Sequence, residues 1–226
     1  RRFVGSVLCI IDIFTNGSLV CVVNKYNLGG CYFYDQGAFD EIAKVAASLG
    51  CATHIDGARV FNAAVATGVD VARMCEHYDS VSICFSKGLG APVGSVLVGS
   101  SAFIARAHRW RKMFGGGWRQ AGVLAAACLH ALDHHVDRLE EDHERAHQIA
   151  LMLNALPEFT VDLDTVQTNM VYAKTTRPAA EVVKHYGENG IDMFDLSENR
   201  IRVVVHLHIT DEDVAKFTEV SQRLFG

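Results

Sequence analysis

The chain has 226 residues, half of them hydrophobic, and a formal net charge of −5, so it can bury a sizeable core as one large domain or as a large and a small one. This balance excludes a globally basic surface for nucleic acid or membranes, and an anionic ligand would have to be held by local arginines and lysines. The seven cysteines are odd in number, lack C-x-x-C spacing and mostly sit in apolar runs, as the reduced thiols of a cytoplasmic protein do.

Arg1 and Arg2 open an apolar stretch that runs to Phe14, too short to span a membrane and without a convincing small-residue cleavage site; it reads as a buried strand or an aberrant terminus. Residues 4–13 and 19–23 are β-branched runs divided by the turn signal Thr15-Asn16-Gly17-Ser18. A helix is predicted from about Gly37, with Phe39, Ile42, Ala46 and Leu49 on one face and Gly50 as its stop. Residues 51–55 form the next strand, so that strand, helix and strand make a βαβ unit of a parallel sheet. A short helix over 61–66 and strands over 79–85 and 93–98 follow.

Residues 102–112 read as a basic helix, Gly115-Gly116-Gly117 as a break, 121–135 as an alanine-rich helix and 136–156 as a long helix ended by Pro157. A strand over 168–173, a helix after Pro178, a strand over 201–207 and a helix from Asp211 then give a β-α-β-α run. The expected class is α/β: a mostly parallel large domain over 1–135 and a smaller C-terminal α+β domain over 136–226.

The chemistry centres on His54-Ile55-Asp56-Gly57-Ala58-Arg59 and Ser86-Lys87-Gly88-Leu89-Gly90. Asp56 falls at the carboxyl end of a strand, where open α/β sheets bind ligands. The strand ending at Phe85 delivers Lys87 into a glycine-rich turn with little flanking charge, where desolvation would lower the amine pKa and expose its lone pair. An acid and a nucleophilic lysine at neighbouring strand ends suit pyridoxal phosphate, the acid holding the ring nitrogen protonated and the lysine bonding the cofactor. The same residues also fit a helix cap and a surface lysine, because D-x-x-R and S-K-G are short patterns.

Other residues have bland readings beside functional ones. His130 with His134, and His143 with His147, have the i,i+4 spacing of metal ligands but lie among acids, and no third ligand is fixed; exposed structural histidines are preferred, and no metal is expected. His206 and His208, which could share a strand face, carry the same weighting. Lys112 and Arg119 flank the triple glycine as an anion-site candidate or as two solvated cations on a hinge. Arg202, on an apolar strand, could simply snorkel.

Three blocks in order carry a resemblance: residues 54–64 (HIDGARVFNAA), 86–95 (SKGLGAPVGS) and 111–120 (RKMFGGGWRQ). The chain resembles the threonine aldolases, β-eliminating lyases among the fold type I (aspartate aminotransferase-like) pyridoxal phosphate enzymes, from about Leu19 to its carboxyl terminus. The resemblance implies cleavage of L-threonine or L-allo-threonine to glycine and acetaldehyde in a homodimer or homotetramer. It gives cofactor contacts to Asp56, Arg59 and Lys87, and the partner subunit's cofactor phosphate to Lys112 and Arg119. Arg59 and Arg202 would grip the substrate carboxylate, for which a bidentate guanidinium is suited. Two departures are expected to impair the site. Nothing before Leu19 offers room for the family's phosphate-binding Gly-Thr turn or its ring-stacking residue, and Tyr26 stands where the family has a histidine that handles substrate. A phenol of ordinary pKa about 10 is a poorer base at neutral pH. The alternative reading is therefore a catalytically impaired, truncated homologue that keeps the dimer scaffold.

Overall fold

The computed structural model describes residues 18–23 and 34–226. The strand expected over 4–13 and the position of Tyr26 lie outside the described residues. The chain divides into two compact units, the second beginning at Asp137.

The first unit holds a four-stranded sheet of order β1-β2-β3-β4, with β1 (Leu19–Val23), β2 (Ala52–Gly57), β3 (Ser80–Cys84) and β4 (Ser95–Gly99). β1, β2 and β3 are parallel, and β4 returns antiparallel to β3. The crossover between β1 and β2 is α1 (Gln36–Ser48), which begins where the Asp35 carboxylate accepts a hydrogen bond of 2.8 Å from the Ala38 N–H. Phe39 of α1 packs on Val22, Ile55 and Val81, one from each parallel strand. Leu49 departs from the expected apolar face and is exposed. The helix ends at Ser48, the Leu49 N–H bonds back to Val45 O and Ala46 O, and Gly50 at φ +69° redirects the chain after it, so Leu49 stands at the C-cap beyond the helix's packed face.

Two short helices, α2 (Val60–Thr67) and α3 (Val71–Cys75), lie between β2 and β3, and their Val60, Ala63 and Met74 form a second buried cluster with Ile83. After β4 come α4 (Ser101–Met113) and α5 (Gly122–His134). Strand alternation gives β2 two faces: Thr53, Ile55 and Gly57 are buried, whereas His54 and Asp56 are half-buried on the opposite face.

The second unit is an antiparallel sheet of order β5-β6-β8-β7, made of β5 (Phe159–Val161), β6 (Met170–Thr175), β7 (Phe194–Ser197) and β8 (Arg200–Val204). Its helices are α6 (Leu139–Asn154), α7 (Ala179–Gly187) and α8 (Asp211–Phe225). One core joins Val171 and Ile201 of the sheet to Leu153, Val182 and Phe217 of the three helices. β5 and β7 add to the expected β-α-β-α run, since β5 is three residues long and β7 is a bulged, half-polar stretch without an apolar run to announce it. β8 stops at Val204, so His206 and His208 follow the strand and do not share a face of it. Asp142 is fully buried against Arg138, with Nη2 at 2.7 Å from Oδ1 and Nη1 at 3.4 Å from Oδ2. Among the described residues, no helix is long and apolar enough to cross a membrane.

Candidate active site

Three parallel strands place their carboxyl ends side by side, and Asp56 stands at the end of the middle one, in register with Val23 of β1 and Ser82 of β3. Its Oδ1 accepts a hydrogen bond of 3.1 Å from the Ala58 N–H, which holds the carboxylate at the strand end and leaves further acceptor capacity. Gly57, still in register with Ile83, lets β2 and β3 pack closely here, because a Cβ would stand 3.0 Å from Ser82 O and 3.1 Å from Val81 Cγ1. Arg59 then occupies the N-cap position of α2, half-buried, and its carbonyl accepts from the Ala63 N–H.

His54 shares the Asp56 face. Its Nδ1 lies 2.8 Å from Ser80 Oγ, and burial holds the imidazole below its ordinary pKa while the Asp56 charge opposes that shift. From β1, burial raises the pKa of the Cys21 thiol and the Asp56 carboxylate adds to the rise. Behind His54, Asp79 Oδ2 accepts from both the backbone N–H and the hydroxyl of Thr53, at 2.8 and 3.0 Å. The carboxylate of Asp56 therefore stands beside a neutral-leaning imidazole and a neutral thiol, each of which can form hydrogen bonds. His54 lies inside the first motif, but only its cross-strand contact with Ser80 distinguishes it.

Lys87 lies in the connection between β3 and β4, just beyond the carboxyl end of the strand neighbouring Asp56. The connection is closed by Ala91 N–H to Phe85 O and Gly90 N–H to Lys87 O, both 2.9 Å, and Gly90 takes φ +69°. Leu89 is 2% exposed. Lys87 itself is exposed, contrary to the expected desolvation: the turn buries Gly88 and Leu89 and turns the intervening polar side chains, Ser86 and Lys87, outward. The far side of this turn is held by α5, where His135 Nδ1 lies 2.7 Å from Leu89 O.

Lys112 and Arg119 are exposed at the end of α4 and in the loop after it, and neither is ion-paired among the described residues. The Lys112 side chain lies against Gly117, where a Cβ would overlap it, and Gln120 takes φ +51°, unusual for a residue with a side chain. A hollow of about 680 Å³ is lined by Lys112 with His108, Arg109, Arg111, Gly117 and Trp118, but not by Arg119. Arg202 belongs to the second unit. It lies on the sheet face opposite Ile201, half-buried, paired in register with Tyr172 and Phe194, with its guanidinium 4.9 Å from the centre of the Phe194 ring. Its Nε is buried without a hydrogen-bond acceptor among the described residues. Among those residues, no group of three or more His, Cys, Asp or Glu side chains is gathered for a metal ion.

The family model described as β-eliminating lyase matches residues 12–176. Low-specificity L-threonine aldolase 1 of Arabidopsis thaliana is 42% identical over 200 residues, covering 87% of this chain and 56% of that protein. The low specificity L-threonine aldolase of Escherichia coli strain K12 is 44% identical over 165 residues, covering 73% of this chain and 48% of the enzyme. The chain thus spans about half the length of these curated relatives. Leishmania major threonine aldolase superposes with a TM-score of 0.73 at 18% identity, covering 92% of this chain and 61% of that one, and shares its fold.

Proposed function

Since the chain belongs to the β-eliminating lyase family, we propose that it acts as a pyridoxal phosphate-dependent aldolase, cleaving L-threonine or L-allo-threonine to glycine and acetaldehyde as a homo-oligomer. The observation that carries this reading is the placement of Asp56 and the Lys87 turn at the ends of adjacent parallel strands. The residues present fit the cofactor: Asp56 is a half-buried carboxylate with acceptor capacity beyond its bond to Ala58, and Lys87 offers an accessible amine.

When bound, pyridoxal phosphate supplies an electron-withdrawing ring that weakens the bonds at the substrate's α-carbon. Asp56 would hold the proton on the ring nitrogen, as an ionised acceptor facing a cation. Lys87 would anchor the cofactor and give it up to the substrate amine. Arg59 and Arg202 would each bind the substrate carboxylate. The buried Arg202 Nε supports its part, since a buried donor without an acceptor carries a desolvation penalty that a ligand carboxylate would relieve. Lys112 and Arg119 would serve the cofactor phosphate of a partner subunit, a role supported by their exposure and by the absence of ion pairing among the described residues. Tyr26 keeps the place of a substrate-handling residue on the grounds of resemblance alone.

The test is a visible absorption titration of the 226-residue chain with pyridoxal phosphate beside Lys87→Ala. A lysine-dependent band, followed by threonine cleavage, is the expected result; no band at saturating cofactor rejects the reading. The exposure of Lys87 favours a second reading, a catalytically impaired homologue, which predicts weak cofactor attachment and no acetaldehyde.

A further inference from the structure

We infer that His135 is the positioning residue for Lys87, an assignment that rests on the cofactor-bearing role proposed for that lysine. The two residues are 48 positions apart in the sequence, and the link between them is the hydrogen bond of 2.7 Å between His135 Nδ1 and Leu89 O. A carbonyl only accepts, so Nδ1 carries the proton and the imidazole is locked in one tautomer and one orientation. The donor itself is firmly held. The His135 backbone N–H bonds to Ala131 O at 2.9 Å, Ala131 is fully buried, and the His130 ring meets the His135 ring edge-on with centroids 5.2 Å apart.

The acceptor is equally constrained. Leu89 buries its side chain, so its carbonyl has a fixed direction, and the bond from Gly90 N–H to Lys87 O passes that constraint to the lysine backbone. A second contact from the same helix repeats the design: Cys128 Sγ lies 3.8 Å from Val93 O, and Cys128 is seven residues before His135, hence on the same side of α5. The connection between β3 and β4 is thus held on α5 at two carbonyls, one of them two residues from Lys87. An exposed amine on an otherwise mobile turn would sample many directions. Fixing the turn limits that search before the amine meets a carbonyl compound.

The experiment compares wild type, His135→Leu and His135→Asn in the full chain. Asn places an N–H at the position of Nδ1, whereas Leu keeps the branching and removes the donor. Without cofactor, hydrogen–deuterium exchange of the peptide covering residues 85–94 should speed up about fivefold in His135→Leu, the factor equivalent to one hydrogen bond of ~1 kcal/mol, and return towards wild type in His135→Asn. With pyridoxal phosphate added, the rate at which the Lys87-dependent visible band forms should fall and recover in the same pattern. Unchanged exchange in His135→Leu, or no recovery in His135→Asn, overturns the assignment. Absence of the band in wild type would instead reject the cofactor role of Lys87, while the exchange data would still decide whether His135 holds the turn.

Discussion

His54 and Asp56 project from the same face of β2, two residues apart, and their charges are coupled: burial lowers the His54 pKa and the Asp56 carboxylate raises it. Removing the carboxylate leaves the burial effect unopposed. In Asp56→Asn the His54 titration, followed by NMR of the ring protons, is expected to move to lower pH; an unchanged or higher midpoint would refute the coupling.

The same histidine gives a pH dependence of folding. Its folded-state pKa lies below its unfolded value, so at pH below the unfolded value the unfolded chain binds the proton more readily. The stability it contributes is present above the unfolded pKa and lost as pH falls towards the folded one. His54→Gln should therefore flatten the acid side of a plot of urea midpoint against pH, and an unaltered slope would count against it.

Gly57 tests the strand-end geometry. A methyl group there would meet Ser82 O, Val81 Cγ1 and Val60 Cβ at 3.0, 3.1 and 3.3 Å, atoms of packed strand and helix. Gly57→Ala should cost about 1–3 kcal/mol by overpacking, read as a lower Tm, and a neutral result would mean that β2 and β3 separate easily.

In the second unit, Asp142 is buried with Arg138 as its partner. Truncation of one member strands the other, so Arg138→Ala should destabilise by about 3–5 kcal/mol. The pair Arg138→Met with Asp142→Leu should recover most of that loss in a denaturant titration. Failure to recover would show that the side chains do more than neutralise each other.

Arg202 offers a separation of binding from stability. If its guanidinium takes the substrate carboxylate, Arg202→Ala should raise KM for threonine about ten- to a hundredfold, the range of a charged hydrogen bond, with kcat much less affected. Because its Nε has no acceptor in the fold among the described residues, Tm should change little. A large fall in Tm with unchanged KM would make Arg202 structural.

The parallel βαβ unit was legible because β2 reads as a short apolar run closed by glycine and Phe39 repeats with helical spacing; both features follow from local sequence. Asp56 and Lys87 could be placed at strand ends for the same reason. The exposure of Lys87 could not, since it depends on which side of the turn Leu89 buries. β7 carries no strand signature in the sequence because half of it is polar and its pairing with β8 is bulged. His135 looked no different from His134, its neighbour; only a contact across 46 residues separates them. The unpartnered Nε of Arg202 is likewise a property of packing, invisible in an alternation of apolar residues.

β4 ends the described sheet order and exposes Val96, Leu97 and Val98. Among the described residues no strand pairs with the outer side of β4, and a margin of backbone donors and acceptors beside three branched apolar side chains is a template for another strand. The consequence is colloidal: loss of this chain to fibrillar aggregate should rise steeply with concentration. A lysine at Val96 or Val98 should act as a gatekeeper and keep the solution clear.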